Sequence, residues 1–486
     1  MIRLKQLCLI LGACLLGAIA LGVLWLGGKV ALYNQLDSQV HLVGKKNYLQ
    51  RISQLPQTVD RPNIVLILFD DLGYGDLGVT GSQAISTPNI DQLAKQGLNL
   101  SNFYAPAPVC TPSRAGFLTG RLPLRAGMPS VVFPSESSFN VIHKLSDTNI
   151  RFPAEEITLA DVLQAAGYAT GMVGKWHLGD QSPSLPNDMG FEEYFGALYS
   201  NDMTPFSLYR NRDIEISAPA DQTRLNEWYG RETSQFIERH NKEPFFLYFA
   251  HNFPHIPLYR PDKDTGRSKG GLYGDVVEGL DDVVGRLVSK LKSEGVYENT
   301  IILITSDNGP WYQGSPANSR GRKSDTFEGG MHVPMIVHWP AKLEGGKTIT
   351  GISMGTDWFP TFLDWLDLPL PGDRIIDGSS LRGMLENNES SPNDYVYYFS
   401  GKNLMAIRDA RYKYHDRRGV VHATSGLPIA FSIPKGPWLF DTFTDFNESY
   451  DVSLSEPEVT VRMEKALKVK RKEMKENMRG WVVKND

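Results

Sequence analysis

The chain alternates short runs that are apolar at nearly every position with longer stretches whose apolar residues recur every third or fourth position. Residues 63–69, 244–250 and 300–305 are runs of the first kind, which predicts strands buried on both faces, as in a parallel sheet. Residues 170–173 and 333–340 predict further strands, and 98–104 a returning one. Helical spacing predicts helices over 88–94, 159–166, 227–240, 276–291 and 358–366. The alternation implies an α/β fold, a large and mostly parallel sheet sandwiched by helices. Beyond Pro371 the texture changes. Residues 395–399, 404–409 and 412–415 are short alternating segments suited to an antiparallel sheet, followed by 438–441, and together they predict a smaller C-terminal α+β domain. Residues 457–478, rich in lysine and glutamate, read as a solvated surface helix.

Ahead of the first strand, residues 7–28 carry no charge and follow Arg3 and Lys5. That length just crosses a bilayer as a helix, and basic residues before it keep the N-terminus cytoplasmic. Residues 1–28 are therefore expected as a transmembrane signal anchor. The rest would lie outside the cytoplasm, on the periplasmic face of the inner membrane if the source is bacterial. The alternative is a cleaved signal peptide and a secreted protein. Residues 29–60 are polar and irregular and are expected as a tether, leaving 61–370 as the main domain and 371–486 as the smaller one. A net charge of −5 gives no reason to expect a nucleic-acid partner. Of three cysteines, Cys8 and Cys14 fall in the apolar run, so Cys110 has no internal disulfide partner.

Polar side chains gather where the predicted strands end. Asp70 and Asp71 follow the first apolar run, and Asp307 and Asn308 follow the third; the carboxyl ends of strands are where an α/β sheet presents its binding groups. These are hard oxygen donors without histidine or thiolate among them, which favours Ca²⁺ or Mg²⁺ over zinc. The absence of a nucleotide-binding loop puts Ca²⁺ ahead of Mg²⁺. Lys175 and His177 follow the 170–173 strand and would point the same way on extended backbone. His255 lies between Pro254 and Pro257, and Lys323 on a basic, glycine-rich loop. With Arg114, these cations suit a bound oxyanion. Cys110 opens a predicted short helix as a candidate nucleophile or nucleophile precursor.

The segment Cys110-Thr111-Pro112-Ser113-Arg114, continued by Ala115-Gly116-Phe117-Leu118-Thr119-Gly120-Arg121, resembles the signature of the type I sulfatases of the alkaline phosphatase superfamily. The resemblance extends to Asp70-Asp71, residues 174–179, Pro254-His255-Ile256-Pro257, residues 306–309, and Lys323 with Phe327-Glu328-Gly329-Gly330. In all it covers about residues 61–450. It implies that a formylglycine-generating maturation enzyme oxidises Cys110 to formylglycine (3-oxoalanine). One hydroxyl of the aldehyde hydrate would attack the sulfur of a sulfate ester, and the other would then expel sulfate. It further implies that Asp70, Asp71, Asp307, Asn308 and the modified Cys110 bind Ca²⁺ and that Arg114 holds the diol. Lys175 and Lys323 would contact the sulfate, with Ser200 nearby, while His255, together with Lys323, would protonate the leaving alcohol. His177 would take the proton of the second hydroxyl. His332 stands where many relatives have arginine and is expected to be structural. Aryl sulfates and sulfated carbohydrates are the expected substrates. A phosphonate monoester or phosphate diester hydrolase is the rival reading, because the same nucleophile can attack phosphorus. A non-catalytic binding protein is a third, but it would have lost a catalytic position, and none is missing.

Overall fold

The fully apolar runs become the middle of a ten-stranded sheet. The computed structural model describes residues 2–56, 61–416 and 436–482, with backbone alone at 2–5, 7–16 and 18. The strand order is Lys347–Ile349, Leu98–Leu100, Met335–His338, Thr300–Ser306, Asn63–Phe69, Phe245–Ala250, Ala169–Gly174, Glu193–Gly196, Leu208–Arg210 and Asp213–Ile216. Asn63–Phe69 has parallel neighbours on both sides, with Ile67 opposite Phe249 and Ile304. Parallel pairing continues from Phe245–Ala250 through Ala169–Gly174 to Glu193–Gly196, and antiparallel pairing begins at Met335–His338 and Leu208–Arg210. Every residue of the central strands is buried, which is why their sequences carry no alternation.

Helices cover both faces. One face packs against Leu159–Ala165, Trp358–Trp365 and Cys110–Thr119, the other against Pro88–Gln96, Leu225–His240 and Gly271–Ser293. The stretch expected as one returning strand is two. Leu98–Leu100 joins the large sheet, whereas Phe103–Tyr104 pairs with Ser353–Met354 in a separate two-stranded sheet, the chain turning at Ser101 and Asn102. Val396–Ser400, Asn403–Arg408, Tyr412–His415 and Trp438–Asp441 form an antiparallel four-stranded sheet. The helix Pro457–Glu476 is not merely a solvated surface helix. Its Met463, Leu467 and Met474 share a core with Tyr398, Ala406 and Tyr414 of that sheet, forming an apolar stripe at helical spacing.

The stretch expected as an irregular tether also differs. It contains the helix Gln39–Ser53, whose Tyr48 and Ile52 are buried four residues apart. The Tyr48 hydroxyl donates to the Pro369 carbonyl at 2.7 Å, and Lys45 pairs with Asp161 at 2.8 Å. Two anchoring side chains in a polar segment are too few to give a readable period. The helix Ile2–Leu32 covers the uncharged run, and Lys29 near its end reaches the Leu145 carbonyl and Asp147, each at 2.7 Å. Most side chains of the first half of that run lie outside the described residues, and among the described residues no helix is long and apolar enough to cross a membrane.

The docking of Gln39–Ser53 is testable. Tyr48→Ala removes a buried ring and its hydrogen bond and is expected to destabilise the fold by about 3 kcal/mol. The readout is a lower urea midpoint, and an unchanged midpoint would mean that this helix does not hold the globule.

Candidate active site

Four strand ends and one helix start converge on a single buried cluster. Asp70 and Asp71 follow Asn63–Phe69, Lys175 follows Ala169–Gly174, His251 and His255 follow Phe245–Ala250, and Asp307 and Asn308 follow Thr300–Ser306. Cys110 is the first residue of Cys110–Thr119, all of which is buried. Arg114 lies one turn later on the same face, so the spacing of the two is a helical i, i+4 relation. Oxygen atoms of Asp70 and Asp307 and the Cys110 sulfur lie within 4.8 Å of one another, as do ligand atoms of Asp70, Asp71 and His255.

Each acid has its own cation. Lys175 Nζ donates to Asp70 Oδ2 at 2.5 Å. Arg114 donates from Nε to Asp307 Oδ2 at 2.9 Å, and its Nη2 lies 2.8 Å from the same oxygen. Its Nη1 donates to the Lys175 carbonyl at 2.8 Å, tying two strand ends together. Lys323 Nζ lies 2.7 Å from Asp71 Oδ1 and 3.0 Å from Oδ2. Burial alone would raise the Asp70 carboxyl, but Lys175, then His255 and Arg114, override it and hold it well below the usual range. Asp307 goes the other way, raised by burial and then by repulsion from Asp70. Burial opposes the charge on Lys323, yet Asp71 keeps its pKa above the ordinary lysine value. Burial pushes the Cys110 thiol up, against the pull of Lys175 and Lys323. The unmodified side chain is therefore a protonated, poor nucleophile.

Carbonyl partners fix the histidine tautomers. His177 Nε2 lies 3.0 Å from the Val132 carbonyl, which can only accept, so Nε2 carries the proton. Its Nδ1 is buried without a partner and keeps a free lone pair. Burial, then Lys175 and Arg114, push this imidazole well below its ordinary pKa, leaving it a neutral proton acceptor. His255 Nδ1 donates to the Ile256 carbonyl at 2.5 Å, which frees Nε2, 3.7 Å from Asp71 Oδ2. Burial and then Lys323 lower its pKa. Ser200 Oγ lies 3.5 Å from His255 Nδ1. Lys175 and His177 do not share one extended backbone. His177 has φ 60°, the left-handed region, so it turns from the strand line toward Val132. Gly174 just before them has φ 115°, and a Cβ there would meet the Ala250 oxygen at 1.9 Å. Only glycine lets the strand approach so closely.

The donors fit a hard cation. Asp70 Oδ1 and Asn308 Oδ1 are buried without a hydrogen-bond partner. Asn308 Nδ2 donates to Asp71 Oδ1 at 2.7 Å and to the Gly309 carbonyl at 2.9 Å. Acidic oxygens crowded enough to raise Asp307, beside two orphaned acceptors, are the environment a divalent ion relieves.

All residues expected at the site are thus brought together, and sequence reading passed over several that support them. Thr111 Oγ1 donates to the His177 carbonyl at 2.9 Å, and the Val132 carbonyl sets the His177 tautomer. His332 is structural, stacking on Tyr74 at 4.0 Å, with Nε2 2.8 Å from the Ser101 carbonyl.

Residues 62–368 match the model of the Sulfatase family, and 322–423 match that of the N-sulphoglucosamine sulphohydrolase C-terminal region. N-acetylgalactosamine-6-sulfatase of Mus musculus is 35% identical over 377 residues, covering 73% of this chain and 72% of its own. Arylsulfatase A of Homo sapiens is 33% identical over 443 residues, covering 80% and 83%. The crystal structure of the PsFucS1 sulfatase from Pseudoalteromonas sp. superposes with a TM-score of 0.76 at 28% identity, covering 90% of this chain and 94% of that one.

The buried imidazoles make stability pH-dependent. Burial lowers His251 to about 3 and His332 to about 4, from 6.5 in the unfolded chain. Both are neutral when folded, so the unfolded state gains protons first. Stability present above 6.5 is therefore lost as pH falls toward those folded values. Each contributes a slope of at most about 1.4 kcal/mol per pH unit. Urea midpoints should fall through this window, and His332→Gln should flatten the slope; an unaltered slope would show that His332 is protonated in the native state.

Proposed function

The chain belongs to the sulfatase family and is a sulfuric ester hydrolase; from that premise we propose that it works through a formylglycine made from Cys110, beside a Ca²⁺ ion. The observation that carries this reading is the placement of the Cys110 sulfur within 4.8 Å of Asp70 and Asp307 oxygens. A thiol kept protonated by burial has little to do there, whereas an aldehyde hydrate would meet an acidic pocket ringed by cations. Asp70, Asp71, Asp307 and Asn308, with the modified Cys110, would hold the ion. When bound, it supplies positive charge that polarises the sulfate and acidifies the hydrate. The hydrate would offer one hydroxyl to sulfur as the S–O bond to the leaving alcohol breaks, and deprotonation of the second would restore the aldehyde and release sulfate.

The chain's own residues then divide the work. Arg114, pinned by Asp307 and the Lys175 carbonyl, orients the hydrate at the helix start. Lys175 and Lys323, on the two sides of the Asp70-Asp71 pair, bind the sulfate oxygens, with Ser200 close to His255. His255 Nε2 and Lys323 both face Asp71, forming the corner that delivers a proton to the leaving alcohol. A bound anion favours the protonated form of His255 that this role needs. His177 takes the proton of the second hydroxyl on its free Nδ1. Aryl sulfates and sulfated carbohydrates, the substrates that the names of its relatives denote, are the classes to test. Membership of this family favours sulfur over phosphorus as the centre attacked. The uncharged run at 7–28 supports an extracytoplasmic protein held at a membrane by its N-terminus.

Co-expression with a formylglycine-generating enzyme should convert the Cys110 peptide to the aldehyde form by mass spectrometry and give turnover of para-nitrophenyl sulfate. Cys110→Ala should abolish that turnover, and full activity with an intact thiol would overturn the mechanism. His177→Ala and Lys175→Ala should each lower kcat by about 10²–10⁴-fold. Prolonged chelation with EGTA should remove activity that added Ca²⁺ restores; activity indifferent to chelation would refute the metal assignment.

A further inference from the structure

Glu328, five residues after Lys323, is a fully buried carboxylate that the catalytic steps do not use. Its oxygens are crowded with donors. Tyr104 and Tyr398 each donate a hydroxyl at 2.6 Å, Lys413 Nζ donates at 3.0 Å, and Arg408 Nε lies 3.4 Å away. Its backbone N–H donates to Glu448 Oε2 at 2.6 Å, and Glu448 Oε1 lies 3.1 Å from both Lys413 and His415. Two buried anions are thus balanced by two buried cations, and four of these partners, Tyr398, Arg408, Lys413 and His415, are on the C-terminal sheet.

Glu328 also stands where three parts of the active site meet. The Ala105 amide donates to the Met331 carbonyl at 2.8 Å, and the Ser324 amide to the Pro108 carbonyl at 2.7 Å, which ties this loop to the approach to Cys110. The Gly309 amide donates to the Gly330 carbonyl at 2.9 Å, and a Cβ on Gly309 would meet the Gly329 oxygen at 1.9 Å, so the Asp307-Asn308 turn rests directly on the loop. The Lys323 amide donates to the Pro310 carbonyl, and the Gly329 amide to the Arg320 carbonyl, which makes 320–330 one knot with the Lys323 ammonium reaching Asp71. Removing Lys413 would leave Glu328 and Glu448 facing each other with half their counter-charge. Buried like charges relax by moving apart.

We infer that Lys413, acting through Glu328, is a positioning residue that sets the Lys323 ammonium at the leaving-group corner. The inference rests on the proposed role of Lys323 in assisting the leaving alcohol. A displaced Lys323 matters most for an alcohol that cannot leave without help and least for a phenolate that can. The loss should therefore depend on the leaving group, which loosened packing alone would not produce.

The test uses the full chain co-expressed with the maturation enzyme, with para-nitrophenyl sulfate and hexyl sulfate as paired substrates. Lys413→Met should lower kcat for hexyl sulfate by about a hundredfold, the size of effect that a small misplacement produces. It should lower kcat only a few-fold for the aryl ester, with KM little changed. Lys323→Ala should show the same selectivity, and the double variant should be no more selective than Lys323→Ala, because both act at one place. Tyr398→Phe, which removes one hydrogen bond to Glu328 while keeping the ring, should show the same selectivity to a smaller degree and decides the matter if Lys413→Met fails to fold. Equal losses on both esters, or additive selectivity in the double variant, would overturn the inference. If Lys323→Ala is itself unselective, the leaving-group role of Lys323 falls, and this inference falls with it.

Discussion

Three carboxylates in one dry corner of a protein repel one another unless cations come with them, and this chain meets that demand with one cation for each acid. Lys175 pairs with Asp70, Arg114 with Asp307, and Lys323 with Asp71. The partners of each pair come from different segments, so the cluster closes only when the sheet, the Cys110 helix and the Lys323 loop are all in register. Five of these six charges are buried and Lys323 nearly so, so their positions are set by the fold more than by side-chain mobility. That is the condition for a site that must stabilise charge without rearranging as it does so.

Much of this was legible in the residues. The strands Asn63–Phe69, Phe245–Ala250 and Thr300–Ser306 are unbroken apolar runs because they are buried on both faces, and their polar endings mark the carboxyl edge of the sheet. The Cys110 and Arg114 spacing is a helical one, and the family was legible from the motif around it. What escaped was whatever depends on partners distant in sequence. Gln39–Ser53 is anchored by Tyr48 against Pro369, a contact no local period announces. His177 owes its conformation to Val132, and the positive φ of a bulky residue has no sequence signal. Glu328 stands out in the sequence only as part of a motif, since its partners Tyr104, Tyr398, Arg408 and Lys413 are ordinary residues scattered over the chain.

The C-terminal sheet therefore belongs to the active site more closely than its position in the chain suggests. Sequence texture separated it at about residue 371, yet its inner face supplies the donors that neutralise Glu328, and its own helix completes a core that includes Tyr104 and Met331. Tyr104 is six residues before Cys110, so the core of the smaller sheet reaches the segment that leads into the Cys110 helix.

Burial of the whole Cys110–Thr119 helix has a consequence in time. No second protein can grip that segment once it has packed, so any enzyme that rewrites Cys110 has to meet the chain while it is still open. The order of synthesis allows this. Lys413 and Glu448 are made some three hundred residues after Cys110, and until they arrive Glu328 is an anion with nowhere dry to go. If Cys110 is modified as proposed, the later-made part of the chain would act as a latch on the earlier one, leaving an interval in which the nascent motif stays readable before the finished fold shuts over it.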